Sequence, residues 1–247
     1  MCLLILCCAR PASCTLCFSP RCSFITPSAI LKVRRMEVKK TQILIAFEGI
    51  DGAGKYTVLS SVRAWLKSLG YRVECSSEPN GESSPLGKHI RAILKGELPM
   101  PEPLEMQRLY VLDRAQDIAC LINPFLRQGG VYLIERFAFS TIAYGMCEGI
   151  PLEKLVALHT EVMGDSMRWP DLTVILDLSG REAVQRIAAG RDHFEYFEKE
   201  EKLETIRQNY LAIAAHPRFK DATVVIDGAP SPEEVFKKTK EALVARF

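Results

Sequence analysis

No stretch of the 247 residues approaches ~18 consecutive apolar positions, which excludes a membrane-spanning helix. Excess charge of one sign is also missing. The formal net charge is +2, too small for an extended nucleic-acid surface. Beyond residue 22 the chain is poor in cysteine, with only Cys75, Cys120 and Cys147. Three scattered thiols make no disulfide framework, so the body reads as a reduced, intracellular, cytoplasmic protein. Internal repeats and low-complexity tracts are absent from it. With 48% hydrophobic and 25% charged residues, disordered and collagen-like chains are excluded too. What remains is one α/β domain with a buried core, or at most two small domains.

The first 35 residues differ from the rest. They hold Arg10, Arg21, Lys32, Arg34 and Arg35 and no Asp or Glu, and six of the nine cysteines crowd residues 2–22. Residues 36–247 carry a net charge of −3. A secretory signal needs basic residues ahead of its apolar run, and none precede Cys2. The Arg- and Ser-rich, acid-free composition suits organelle targeting, or else a disordered leader or mis-assigned start. Cys14-x-x-Cys17 with Cys22 lacks a second paired half at zinc-site spacing. Residues 1–35 are therefore read as a leader and 36–247 as the folded domain. Translation from Met36 is expected to give a fully active protein.

Within the domain, short apolar runs alternate with helical periodicity. Strands are predicted at 43–48, 71–76, 131–134, 173–178 and 222–226. Helices are predicted at 57–69, 85–94, 104–122 (ending near Asn123-Pro124), 138–146, 152–164, 180–190 and 196–215. Ser231-Pro232-Glu233-Glu234 opens a last helix with a capping box and a proline at the first helical position. Five such strands imply an α/β fold: a five-stranded parallel sheet with helices on both faces, binding ligands at the carboxyl ends of its strands.

The sharpest signal is Gly49-Ile50-Asp51-Gly52-Ala53-Gly54-Lys55-Tyr56-Thr57, which follows a strand and opens a helix. Glycines let the chain curl so that backbone N–H groups and the helix N-terminus cradle phosphate, and Lys55 reaches the β- and γ-phosphates. Tyr56 stands where a Ser or Thr hydroxyl normally binds Mg²⁺. Thr57 follows, but a neighbouring helical residue points about 100° away. Glu135-Arg136 ends the third strand, so Arg136 can fork onto a phosphate and Glu135 can hold a metal-bound water. A surface ion pair is the plainer reading. Tyr110 and Arg114 share a helix face, as a nucleobase site or as a core aromatic with a rim arginine.

Phe47-Glu-Gly-Ile-Asp-Gly-Ala-Gly-Lys55, Glu78-Pro79, Leu86-Gly-Lys-His-Ile-Arg91, Leu112-Asp-Arg-Ala115, Glu135-Arg-Phe-Ala-Phe-Ser-Thr-Ile-Ala-Tyr144, Pro170-Asp-Leu-Thr-Val-Ile-Leu-Asp177 and Arg191-Asp-His-Phe-Glu195 occur in that order. Together they resemble the thymidylate kinases, P-loop nucleoside monophosphate kinases with a three-layer fold, over roughly residues 41–247. The resemblance implies transfer of the ATP γ-phosphoryl group to dTMP, giving dTDP for dTTP biosynthesis, with Mg²⁺. It implies small-molecule nucleotide partners, no nucleic acid or membrane, and a homodimer. Gly49 to Thr57 would bind ATP. Asp51 would meet the sugar 3′-hydroxyl or orient an arginine, Tyr110 would stack on thymine and Arg114 would bond its edge. Arg136 would bridge acceptor and transferred phosphates. Glu78, Pro79, Arg91 and Ser140 would line the acceptor pocket, and Tyr144 would sit by the deoxyribose. Residues 188–197 would form a lid. Gly52 occupies the loop position that is basic in some members, so Arg191 of the lid would supply that charge beside Lys55 and Arg136.

Besides Tyr56, the chain departs from the family pattern at Glu135, Ser77, Gly145 and His193, where Asp, Arg, Gln and Arg are common. Glu135-Arg136 is also similar to the Glu-Arg pair of deoxynucleoside kinases, whose sugar-hydroxyl acceptor needs a base such as Glu78 or Glu135. That reading, another monophosphate kinase, and an inactive nucleotide-binding relative are the alternatives. A GTPase is excluded because no Asn-Lys-x-Asp motif occurs.

Overall fold

The order of strands in the sheet explains where everything else sits. The computed structural model describes residues 41–81, 84–190, 197 and 199–247. The leader, Arg191 and His193 lie outside them. Five parallel strands run β1 (Gln42–Glu48), β2 (Val73–Ser77), β3 (Gly130–Glu135), β4 (Leu172–Asp177) and β5 (Thr223–Asp227) along the chain. In space their order is β2-β3-β1-β4-β5. β1 is central, flanked by β3 (Phe47 opposite Glu135) and β4 (Glu48 opposite Ile175). The chain thus reverses direction across the sheet beside β1, where open α/β sheets form their ligand crevice.

Helices cover both faces, as alternation along the strands requires. Leu44, Ala46, Tyr132 and Ile134 pack into one apolar cluster, and Ile45, Phe47, Val131 and Leu133 into another. Each Leu, Ile, Val or Phe side chain among them contributes about 1.5–3 kcal/mol when taken from water. The helices are α1 (Lys55–Ser68), α2 (Pro85–Leu94), α3 (Pro103–Asp117), α4 (Asn123–Arg127), α5 (Ala138–Cys147), α6 (Leu152–Met163), α7 (Gly180–Gly190), α8 (Glu200–Ala215) and α9 (Pro232–Arg246). Among the described residues no helix is long and apolar enough to cross a membrane.

Most boundaries shift from the sequence reading by one or two residues, and three differences have a local structural reason. The second strand starts at Val73 rather than at Tyr71, because the Tyr71 N–H bonds back to the Leu66 carbonyl and closes α1. Pro124 does not stop the helix before it. Residues Ile118–Ile122 form a π-helical turn in which the Asn123 N–H reaches the Ile118 carbonyl, and this widened turn accepts Pro124 in the first turn of α4. Helix α8 opens at Glu200, with Lys199 extended before it, and not at Tyr196, which lies outside the described residues. The capping box on α9 forms as read: Ser231 Oγ accepts from the Glu234 N–H, and Glu234 accepts from the Ser231 N–H.

Candidate active site

Three strand ends meet at the crevice. β1 runs into the Gly49–Gly54 turn, β2 into Glu78-Pro79-Asn80, and β3 into Glu135-Arg136. The turn leads straight into α1, with Lys55 as its first residue, so a helix N-terminus faces the crevice. Two glycines are required by close approach. At Gly49 (φ +135°) a Cβ would lie 2.6 Å from the Leu176 carbonyl oxygen, and at Gly52 (φ +80°) 2.8 Å from that of Ala183. Lys55 is buried and donates to the Ile50 carbonyl at 2.8 Å. Burial, with the charge of Arg136 added, lowers its ammonium to about 8, against Asp51, Glu135 and Glu48. Tyr56 is 72% exposed and Thr57 is exposed beside it. Gly52, Gly54 and Thr57 line a cavity of about 340 Å³ with Arg186, Gly228 and Pro230. Arg186 is held there by bonds to the Gly228 and Ala229 carbonyls at 3.1 and 2.9 Å.

All nine residues expected at the acceptor line a second cavity, of about 380 Å³: Asp51, Glu78, Pro79, Arg91, Tyr110, Arg114, Arg136, Ser140 and Tyr144. Glu135 and Phe197 line it too. Arg136 is its hub. Its backbone is left-handed (φ +61°), rare for a residue with a side chain, and is anchored by a bond from its N–H to the Phe47 carbonyl. Its Nη2 meets Asp51 Oδ1 at 2.5 Å, and its Nη1 lies 3.3 Å from Ser140 Oγ. Burial raises the Asp51 carboxyl, but the charges of Arg136 and Lys55 and bonds from Arg136 and Tyr144 outweigh it and hold it at about 2. Tyr144 donates to Asp51 Oδ2 at 3.0 Å, and burial pushes its phenol up.

Arg114 is 1% exposed and anchored on three sides. It bonds Glu78 Oε2 at 2.5 Å, Thr141 Oγ1 at 3.1 and 3.2 Å, and His159 Nε2 at 2.7 Å. His159 Nδ1 sits 2.8 Å from the Leu155 carbonyl, so that nitrogen carries the proton and Nε2 accepts from Arg114. Burial and the Arg114 charge lower His159 to about 3 and keep it neutral. Burial pushes the Glu78 carboxyl up to about 8 while Arg114 pulls the other way. The turn after Glu78 is pinned from α3: Asp113 accepts from the Asn80 N–H at 2.9 Å and Asp117 from Asn80 Nδ2 at 2.8 Å. Arg91 donates to the Pro79 carbonyl at 2.8 Å.

Sequence reading missed the residues behind this lining. Glu48 and Asp113 sat inside motifs it quoted. His159 and Tyr210 carry no local signal, since their partners are 45 and 162 residues away. Arg191 lies outside the described residues, and the structure does not place it. Glu135 and Asp51 bring two carboxylates to one cavity, which suits Mg²⁺, a cation that takes one or two carboxylates and fills its remaining positions with phosphate oxygens and water. Among the described residues no group of three or more acidic, His or Cys side chains could hold a metal by itself.

Residues 47–239 match the family model for thymidylate kinase. The chain is 32% identical over 215 residues to a thymidylate kinase of Maridesulfovibrio salexigens, covering 83% of this chain and 96% of the relative. It is 34% identical over 218 residues to one of Nitratidesulfovibrio vulgaris (81% and 95%) and 30% identical over 210 residues to one of Mesoplasma florum (83% and 96%).

Proposed function

The chain belongs to the thymidylate kinase family, and from that premise we propose how its residues divide the work. It is an enzyme that transfers the γ-phosphoryl group of ATP to dTMP, giving dTDP. One observation carries the assignment of roles: the nine residues expected at the acceptor share a single cavity that opens beside the phosphate loop. The acceptor occupies that cavity, and the nucleoside end of ATP the smaller one by Arg186.

Phosphoryl transfer asks for alignment, exclusion of water and charge stabilisation more than for covalent chemistry. A monophosphate is already largely ionised, its second pKa being about 6, so the reaction needs no strong base. Lys55 grips the triphosphate. Arg136, fixed by Asp51 and Ser140, lies between acceptor and donor and neutralises the transferred group. Tyr110 stacks on the base and Arg114 meets its edge. Tyr144, tied to Asp51, lies against the sugar. Glu135 would hold Mg²⁺ through water beside the phosphate oxygens, and the cation would supply further charge compensation when bound. Next to Lys55 the exposed Tyr56 ring stands in place of a short Ser or Thr hydroxyl.

Gly52 leaves no space for a side chain against Ala183, so a basic group for the transferred phosphate comes from elsewhere, and Arg191 supplies it from the 188–197 segment. Glu78, the candidate base of a nucleoside kinase, is instead committed to Arg114. We further propose a cytoplasmic homodimer whose leader, residues 1–35, is dispensable for activity.

The test is a panel of dTMP, dUMP, dCMP, dGMP and thymidine with ATP and Mg²⁺, scored by ADP release. dTMP is expected to turn over fastest. Turnover with thymidine but not dTMP would replace this reading with a nucleoside kinase.

A further inference from the structure

The cavity explains Asp51 as the partner of Arg136, but a second anchor lies behind it. Glu48, the last residue of β1, is a fully buried carboxylate (0% exposed) with four hydrogen bonds. Its Oε1 accepts from the Phe137 and Ser140 N–H groups at 2.9 and 3.2 Å, at the start of α5. Its Oε2 accepts from Ser140 Oγ at 2.6 Å and from the Tyr210 hydroxyl at 3.2 Å. The Tyr210 hydroxyl also lies 2.8 Å from Ser140 Oγ, which is the atom that Arg136 Nη1 bonds.

Counting protons fixes the direction of every link. A serine hydroxyl has one proton to give and two lone pairs to receive. A carboxylate at Glu48 can only accept and Arg136 can only donate, so Ser140 gives its proton to Glu48 and presents its lone pairs to Arg136 and Tyr210, and the single Tyr210 proton is shared between Ser140 Oγ at 2.8 Å and the more distant Glu48 Oε2 at 3.2 Å. The serine oxygen is then saturated by protein partners. It holds an arginine and has no donor left for a nucleotide, although it borders the cavity. An amide at position 48 could still bond the two backbone N–H groups. It would also turn an NH₂ toward Ser140 and compete with Arg136 for the same lone pairs.

We propose that Glu48 and Tyr210 are positioning residues that set the pose of Arg136 through Ser140. The inference deepens the role given above to Arg136 and rests on it for its kinetic consequences. Tyr210 belongs to α8, which also clasps α5 through the bond from Asn209 Nδ2 to the Ala143 carbonyl at 2.9 Å. The seating of α8 on α5 is therefore transmitted to the arginine by one buried hydroxyl.

The test uses Tyr210→Phe, which keeps the ring, together with Ser140→Ala, the double variant, Glu48→Gln and Arg136→Ala. A misplaced group well away from the chemistry can cost ~10²-fold in rate. Tyr210→Phe is expected to lower kcat about 10-fold and Glu48→Gln about 50-fold, each with KM for ATP and dTMP within threefold of the parent. In the Ser140→Ala background the Tyr210→Phe loss should largely vanish. Independently of turnover, ¹⁵N spectra should show faster guanidinium rotation at Arg136 in Tyr210→Phe. A kcat loss below fivefold, a loss carried by KM, full additivity with Ser140→Ala, or unchanged Arg136 rotation would each overturn the inference. Should Arg136→Ala itself keep parental turnover, the role of Arg136 fails instead, and the rotation measurement alone decides the positioning.

Discussion

Lys55 lends itself to a proton count. Its ammonium is lowered to about 8 from 10.5. That depression corresponds to about 3 kcal/mol by which burial and Arg136 outweigh the nearby carboxylates. At pH 8 half of the free enzyme therefore carries a neutral lysine. A bound triphosphate restores the charge, so ATP binding at pH 8 should take up about half a proton, and at pH 6.5 only about 0.03. Isothermal titration of MgATP in buffers of different ionisation enthalpy reads this number directly. Lys55→Arg should abolish the uptake, because a guanidinium does not titrate in this range. The stability sign is the reverse of an ordinary ion pair. The folded state binds this proton more weakly than the unfolded chain, so stability from this group rises as pH climbs from 8 to 10.5. Heats that are identical across buffers at pH 8 with binding intact, or undiminished uptake in Lys55→Arg, would refute the reasoning.

Arg136→Ala and Arg191→Ala should each lower kcat by ~10³–10⁵ while shifting Tm by only a few degrees, as read by steady-state kinetics beside thermal unfolding. Gly49→Ala combines a forbidden φ with a backbone oxygen 2.6 Å away. About 3 kcal/mol of stability should be lost, roughly 6–12 °C in Tm for a domain of this size, and a smaller shift would mean that β4 yields easily. His159, lowered to about 3, binds fewer protons when folded than when unfolded between pH 3 and 6.5. Its share of stability is thus present above 6.5 and falls with acid by up to about 1.4 kcal/mol per pH unit. Urea unfolding at pH 7 and 5 should show the parent losing about 2 kcal/mol more than His159→Gln, and equal losses would remove His159 as the cause.

The strands and the phosphate loop were legible because their signals are local. Val131 to Ile134 is an apolar run whatever its neighbours, and the Gly49–Lys55 spacing encodes a turn directly. The nine cavity residues were legible from the order of short motifs. Pro124 misled because its usual effect presumes a regular α-helical turn, whereas Ile118–Ile122 widens to accept it. The supports behind the cavity were illegible for another reason. Glu48 read as the polar end of a strand and Tyr210 as one position on an amphipathic helix. Only the fold makes them meet, and pairings between distant segments leave no periodic trace. The three anchors of Arg114 were hidden in the same way: its pairing with Tyr110 four residues earlier showed, but His159 on α6 did not.

The contact between Gly52 and Ala183 restricts the order in which this loop can change over evolutionary time. What blocks position 52 is main chain: the Ala183 carbonyl and Cα, at 2.8 and 3.2 Å from a Cβ there. No trimming of the Ala183 side chain makes room. A lineage starting from this chain must first displace α7 outward before a side chain, charged or not, is accepted at 52, so a cation cannot enter at this position in a single substitution.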